Sequence, residues 1–350
     1  MMKKFLSKLF RFSLIGLSYL IIMAVLYIAF DPFKVLYDYE SFFDTNAKAS
    51  VAPNKDYAST TTFIKNSKKI NYNSFIFGNS RSIFYQISEW KKHIGEDAIC
   101  YHFDASGESL WALNKKVEFI NKKENNIKNM LLVLDYATLT NVKPKSAHSY
   151  IISPALVNNS NIIEFHIAFF TAFLTPNFTY AYLDYKISNK MKPYIKKVLD
   201  DRQKNYDNKT NELRFDYFEN LISKGKYYTP ERLSVFYDRD TTIQKFSEEC
   251  IKENQKIILK NIYSITQKHN SKIKIIISPL YDQIKINKDD LKYLRALFGE
   301  ENVFDFSGIN RFTNNYKNYY EASHYRPHIA REIMRIIYEQ KAQTDSGYDY

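Results

Sequence analysis

The chain has 350 residues, with 50 Lys+Arg against 38 Asp+Glu for a formal charge of +12, 29 Tyr, 26 Phe, 8 Gly and 2 Cys. This composition excludes a disordered chain, a collagen-like repeat and a disulfide-stapled miniprotein, and it requires a sizeable core. The basic surplus bears on anionic partners and solubility, not on fold.

At the N-terminus, residues 1–11 carry Lys3, Lys4, Lys8 and Arg11 and no acidic residue. Residues 12–30 follow, nineteen in a row without a charge. As a helix they extend about 28 Å, enough to span the hydrocarbon core. The positive-inside bias places the basic end in the cytoplasm and everything after Asp31 outside it, on the periplasmic side of the cell (inner) membrane. Ile28-Ala29-Phe30-Asp31-Pro32 offers no small-x-small cleavage pattern, so the segment reads as a retained single-pass anchor. The four leading charges then serve topology. The exported part keeps a surplus of +8, suited to anionic glycans, lipid headgroups or wall polymers. No motif supports nucleic acid as a partner. Residues 31–70, with Asp31-Pro32 and the polar run Asn46 to Thr62, read as a tether.

Residues 71–340 read as the main domain. Short apolar runs at Ser74 to Phe77, Ile99 to Phe103, Met130 to Leu134, Ile273 to Ser278 and Val303 to Phe306 predict five strands. Helical spacing predicts helices at Ser82 to Lys92, Leu110 to Asn121, Phe246 to His269, Lys288 to Phe298 and Pro327 to Gln340. The alternation predicts an α/β domain with a parallel sheet covered on both faces, its ligand crevice at the strands' carboxyl ends. Residues 141–245 break the rhythm with five prolines and many aromatics and read as an inserted, largely helical segment, including Ile162 to Leu174 and Tyr180 to Leu199. Residues 341–350 read as a disordered tail.

The sharpest local feature is Phe75-Ile76-Phe77-Gly78-Asn79-Ser80-Arg81-Ser82, a strand that stops and turns into a helix. A serine there faces backbone N–H groups and a positive dipole end, which suits a nucleophile whose attack creates an oxyanion. A helix N-cap is the plainer role for the same residue. Near the other end lies Tyr319-Tyr320-Glu321-Ala322-Ser323-His324-Tyr325-Arg326, where one short loop carries a base and, three residues earlier, an acid to orient it. Since that loop follows the fifth strand, it predicts His324 on the same rim as Ser80.

With these residues the chain resembles the SGNH (GDSL-like) hydrolase superfamily, over residues 74–140 and 246–340. The resemblance rests on Gly78-Asn79-Ser80, on Gly107 within Asp104-Ala105-Ser106-Gly107-Glu108, and on Glu321-Ala322-Ser323-His324. The membrane-tethered form looks like the branch containing the D-alanine transfer protein of teichoic acids and the alginate O-acetyltransferase proteins. It implies a flavodoxin-like three-layer sandwich with a five-stranded parallel sheet, the SGNH fold. The implied activity is extracytoplasmic acyl transfer, most plausibly O-acetylation of a surface polysaccharide through an acyl-serine. A membrane-bound O-acyltransferase partner would supply the acyl group. A membrane-anchored esterase, or a non-catalytic subunit of a polymer-assembly complex, are the alternatives. Carried over, Ser80 is the nucleophile, His324 the general base and Glu321 its orienter, with Asp305 in reserve. The Ser80 and Gly107 N–H groups form the oxyanion hole, with Asn141 as a third donor. The sequence departs from the family pattern in having Asn79 where Asp is usual, and in lacking a glycine between Asp135 and Asn141.

Arg81 and Arg326 flank the nucleophile and the base and are candidates for gripping an anionic substrate or acyl carrier, or for a structural ion pair. His102 reads as a core residue, and His93, His148, His166 and His269 show no metal-ligand spacing, so neither a metal nor another cofactor is expected. Cys100 and Cys250 each fall in an apolar-patterned element and are expected as buried free thiols.

Overall fold

The computed structural model describes residues 2–43, 49–123, 126–201 and 205–339. The tail at 341–350 lies outside them. The chain divides into two compact units. One contains the described residues up to 53 together with 146–148 and 161–201. The other contains 54–145, 149–160 and 205–339. The inserted segment is therefore shared between them.

The second unit is built on a five-stranded parallel sheet. Its strands are β1 (Ser74–Gly78), β2 (Cys100–His102), β3 (Asn129–Leu134), β4 (Lys272–Ile277) and β5 (Val303–Asp305), in the order β2-β1-β3-β4-β5. That is the doubly wound, flavodoxin-like order, in which the chain reverses direction across the sheet beside β1. Period-2 alternation explains the layers. Phe75, Phe77, Met130, Leu132, Leu134, Ile273, Ile275 and Ile277 enter one apolar cluster, with Leu113 and Val117 of helix Leu110–Lys122, Leu259 and Ile262 of helix Glu253–Lys268, and Leu294 of helix Lys288–Phe298. Ile76, Leu131, Val133 and Ile276 enter the cluster on the other face. There they meet Trp90 of helix Ile87–Ile94 and Ile329, Ile333 and Ile337 of helix Pro327–Glu339. Cys100 and Cys250 are free, buried and in opposite clusters.

Helix boundaries differ where a side chain takes over the backbone. The helix expected from Phe246 starts at Glu253, because the Asp290 carboxylate accepts from the Cys250 and Ile251 N–H groups at 2.8 Å each and keeps the preceding segment extended. The helix expected over Tyr180 to Leu199 instead spans Pro176–Ser188 and ends at Asn189 in the left-handed region. The helix expected from Ser82 is a 3₁₀ turn, Ser82–Phe84, followed by Ile87–Ile94.

The stretch read as a tether contains a helix, Lys55–Asn66, capped by Asn54, whose Oδ1 accepts from Tyr57 N at 2.8 Å. It belongs to the second unit, and its Phe63 is buried between Tyr72, Phe75, Tyr101 and Phe103. Lys55, Asp56, Ser59, Thr60 and Thr62 are also buried, which is why hydrophobic patterning missed it.

In the first unit, the helix Met2–Phe30 is followed by a turn organised by Asp31. This buried carboxylate accepts from Val35 N at 2.9 Å, Leu36 N at 2.8 Å and Tyr39 Oη at 3.0 Å.

Candidate active site

The site forms where β1 ends. Gly78 has φ +152°, and a Cβ on it would lie 2.6 Å from the Val133 carbonyl oxygen and 2.9 Å from Ser82 Cβ, so only glycine lets the chain leave the sheet this tightly. Asn79 follows, buried. Its Nδ2 donates to Asp135 Oδ2 at 2.6 Å and to Thr138 Oγ1 at 3.0 Å, while its Oδ1 accepts from Arg81 N at 3.0 Å. Ser80 comes next, half-buried on the rim.

Glu321 and His324 arrive on a tight antiparallel hairpin, Tyr319–Glu321 with His324–Tyr325, whose register sets them directly opposite each other. His324 Nε2 lies 2.7 Å from Ser80 Oγ, and His324 Nδ1 is hydrogen-bonded to Glu321 Oε1. The second oxygen of Glu321 accepts from Ser323 N at 2.7 Å. Burial pushes the Glu321 carboxyl up, but the hydrogen bond and charge of His324 outweigh it and hold the group below the usual carboxylate range. An ionised Glu321 fixes the proton on Nδ1 and leaves the Nε2 lone pair facing the serine hydroxyl. The three residues therefore form one relay, with the His324 ring edge-on to Phe84 at 5.9 Å.

Asp305 does not join it. Its Oδ1 accepts from Ser307 N at 2.9 Å and Ser307 Oγ at 2.5 Å, and it is Glu321 that bonds His324. Asn141 does not join it either. Its Nδ2 donates to Ala137 O at 2.6 Å, closing the short helix Tyr136–Thr140. Gly107, at φ +55°, sits in the loop after β2, where a Cβ would press on the Tyr150 ring at 3.1 Å. That loop is tied to β1 by Ala105 N donating to Gly78 O at 3.2 Å. Among the described residues, neither the Ser80 nor the Gly107 N–H has a protein acceptor.

Both candidate arginines are committed to protein partners. Arg81 Nη1 pairs with Asp135 Oδ2 at 2.6 Å and Nε donates to Ser323 O at 3.0 Å, so it ties the loop after β1 to the end of β3 and to the hairpin of His324. Arg326 grips Glu219 through Nε at 3.0 Å and Nη2 at 2.7 Å. His102 is the buried core residue expected, with Nε2 2.8 Å from Ser82 O and Nδ1 3.1 Å from Asp104 Oδ1. Among the described residues no group of His, Cys, Asp and Glu could hold a metal ion.

Sequence reasoning missed two parts of this arrangement. Asp135 was passed over although it stands at the carboxyl end of β3, the one position-based signal that could have flagged it. The inserted residues 205–245 buttress the hairpin. Tyr227 Oη donates to Tyr320 O at 3.1 Å, Tyr228 Oη to Tyr319 O at 2.9 Å, and Tyr320 Oη to Glu219 Oε1 at 2.7 Å. No periodicity in the sequence announces that role.

The pairing of Asn79 with Asp135 calls for an amide at position 79. An aspartate there would set two buried carboxylates against each other. Asn79→Asp should therefore cost about 2–4 kcal/mol at pH 7. The raised pKa of the new carboxyl should make this loss shrink as pH falls and one proton is shared, which denaturant melts at two pH values would measure. A pH-independent loss would reject this account.

Comparison with known proteins gives no match, neither to a family model, nor to a curated protein, nor to a solved structure.

Proposed function

We propose that the chain is a membrane-anchored acyltransferase of SGNH type, which forms an acyl-Ser80 intermediate outside the cytoplasm and passes the acyl group, an acetyl, to a hydroxyl of a surface polysaccharide. The observation that carries this reading is the relay from Glu321 through His324 to Ser80, at 2.7 Å, at the carboxyl end of β1. Ser80 Oγ attacks the acyl carbonyl while His324 Nε2 takes its proton, and Glu321 stabilises the imidazolium. The oxyanion is met by the Ser80 and Gly107 N–H groups, each donor typically worth about 3–4 kcal/mol. His324 then protonates the leaving group. In the second half the acceptor hydroxyl yields its proton to Nε2 and attacks the acyl-serine, and Ser80 departs with that proton. The half-exposed relay also admits water, and this access supports hydrolysis as the second reading.

Retention of the helix Met2–Phe30 as an anchor is supported by Met23 and Tyr27, which are buried against the first unit, a packing that a cleaved leader would abandon. A membrane-bound O-acyltransferase partner delivering the acyl group fits this topology.

Reaction with a serine-directed fluorophosphonate tests the enzyme reading. The full chain in detergent should label covalently, Ser80→Ala should not, and His324→Ala should label far more slowly. Equal labelling of parent and Ser80→Ala, or none of the parent, would overturn it. Surface-polymer acetylation unchanged in a Ser80→Ala strain would reject transfer in favour of hydrolysis.

A further inference from the structure

Helix Ile162–Phe173 carries two apolar stripes where a surface helix needs one. Phe165, Phe169 and Phe173, spaced i, i+4, i+8, are buried within the first unit. On the neighbouring stripe Ile163 and Ile167, spaced i, i+4, are open at 73% and 59% exposure, and Phe170 and Leu174, which continue the line, are half-buried. This stripe runs into the membrane-segment surface, because Phe170 lies edge-on to Tyr27 at 5.4 Å and Phe173 lies 5.5 Å from the same ring. Tyr27 is three residues, and Met23 seven residues, from the end of the apolar run at Phe30. Through Tyr27 the contact therefore sits about 5 Å inside the span.

We infer that helix Ile162–Phe173 lies in the outer interface of the bilayer, with Ile163 and Ile167 in contact with acyl chains, as a second membrane attachment beside the spanning helix. This rests on the reading of Met2–Phe30 as a transmembrane anchor. Charge supports a lipid occupant. Glu164 is the one acidic residue of the helix; it is exposed, about 100° round from Ile163 and about 60° from Ile167, so its carboxylate borders the exposed pair on one side. Five lysines follow at 186, 190, 192, 196 and 197. Lys192 pairs with Asp184 and Lys196 with Asp201, while Lys186, Lys190 and Lys197 have no acidic partner among the described residues. Such a cluster beside an apolar stripe fits anionic headgroups above an acyl layer.

The test is spin-label accessibility in the full-length protein, reconstituted in bilayers of mixed phosphatidylcholine and phosphatidylglycerol. Both native thiols are buried, so nitroxides introduced at Ile163→Cys, Ile167→Cys, Ile15→Cys and Ile257→Cys report their own positions. Ile15 marks the spanning helix, and Ile257 is an exposed isoleucine of the other unit. Labels at 163 and 167 should collide with oxygen several-fold more, relative to a water-soluble nickel chelate, than the label at 257 does. If 15 reports lipid while 163 and 167 match 257, this inference fails and the anchor stands. If 15 also reports water, both fail. Labels at 163 and 167 shielded from both colliders would mean protein cover, which also overturns the inference.

Discussion

Replacing Ser80 with alanine should lower acyl-ester turnover by about 10⁴-fold or more, to the residual level supported by binding and oxyanion donors. In the proposed mechanism the hydroxyl is the group whose bond to carbon forms and breaks, and with Oγ 2.7 Å from Nε2 the proton has a direct path. His324→Ala should lose about as much, and the double variant little more, because residues acting as one relay are not additive. Glu321→Gln keeps the shape of the hairpin but ends the ionic acceptor for Nδ1–H. It should cost about 10²–10⁴-fold, mainly in kcat, by releasing the imidazole to the other tautomer. Asp305→Asn should change turnover less than twofold, since Asp305 is bound to Ser307 and not to the imidazole. Turnover of a small acetyl ester, with and without a hydroxyl acceptor, measures all five. Activity in Ser80→Ala above about a tenth of the parent, far outside the range for a lost nucleophile, would remove Ser80 from that role.

The sheet was legible because its strands are buried on both faces, so each stands out as an apolar run bounded by polar residues; β3 is buried along its whole length. The relay was legible for a related reason. Ser80 marks the end of β1, and Glu321 and His324 are three residues apart, so chain proximity already implied spatial proximity. What stayed hidden depends on contacts between distant segments. Asp135 meets Asn79 and Arg81 across more than fifty residues, and its meaning exists only once β1 and β3 are paired. Arg81 read either as a substrate ligand or as half of a structural ion pair, and only its partners, Asp135 and the Ser323 carbonyl in two other loops, favour the second. The aromatics at 205–245 read as irregular because they serve as individual struts under the histidine hairpin rather than as one face of an element.

Helix Lys55–Asn66 shows the same limit more sharply. Patterning assumes that buried means apolar, and this helix buries ions. Lys116, with no solvent exposure, pairs with Asp56 at 3.2 Å and with Glu108, and Lys55 pairs with Asp104 at 3.3 Å. Ser59 Oγ donates to Asp104 O at 2.9 Å. These contacts join the helix to the loop after β2 that carries Gly107, so a segment read as a tether instead braces the candidate oxyanion loop.

Lys116→Met should destabilise the protein by about 3–5 kcal/mol, because it leaves Asp56 buried without its counter-charge. Burial disfavours the Lys116 ammonium, yet Asp56 and Glu108 outweigh that and hold its pKa above the ordinary lysine value. Glu108 behaves in the opposite sense. Burial pushes it up to about 8, against the pull of Lys116, so it carries a proton in the fold at pH values where the unfolded chain has lost it. Its contribution is therefore present below the ordinary glutamate pKa and is lost as pH rises to about 8, amounting to a few kcal/mol across that window. Glu108→Gln mimics the protonated form. Because it takes up no proton on folding, it should flatten this limb of the pH profile and be more stable than the parent by a margin that grows as pH rises from 5 to 8. Combining Lys116→Met with Asp56→Asn and Glu108→Gln removes Lys116 and both its carboxylate partners, leaving the Lys55–Asp104 pair in place, and should recover much of the single-variant loss, because the penalty lies in stranding one ion rather than in losing the pair. Denaturant melts of the full-length chain in detergent, from pH 5 to 8, resolve these cases. A Lys116→Met midpoint equal to that of the parent would mean that water screens the cluster, and would dismiss the brace as a source of stability.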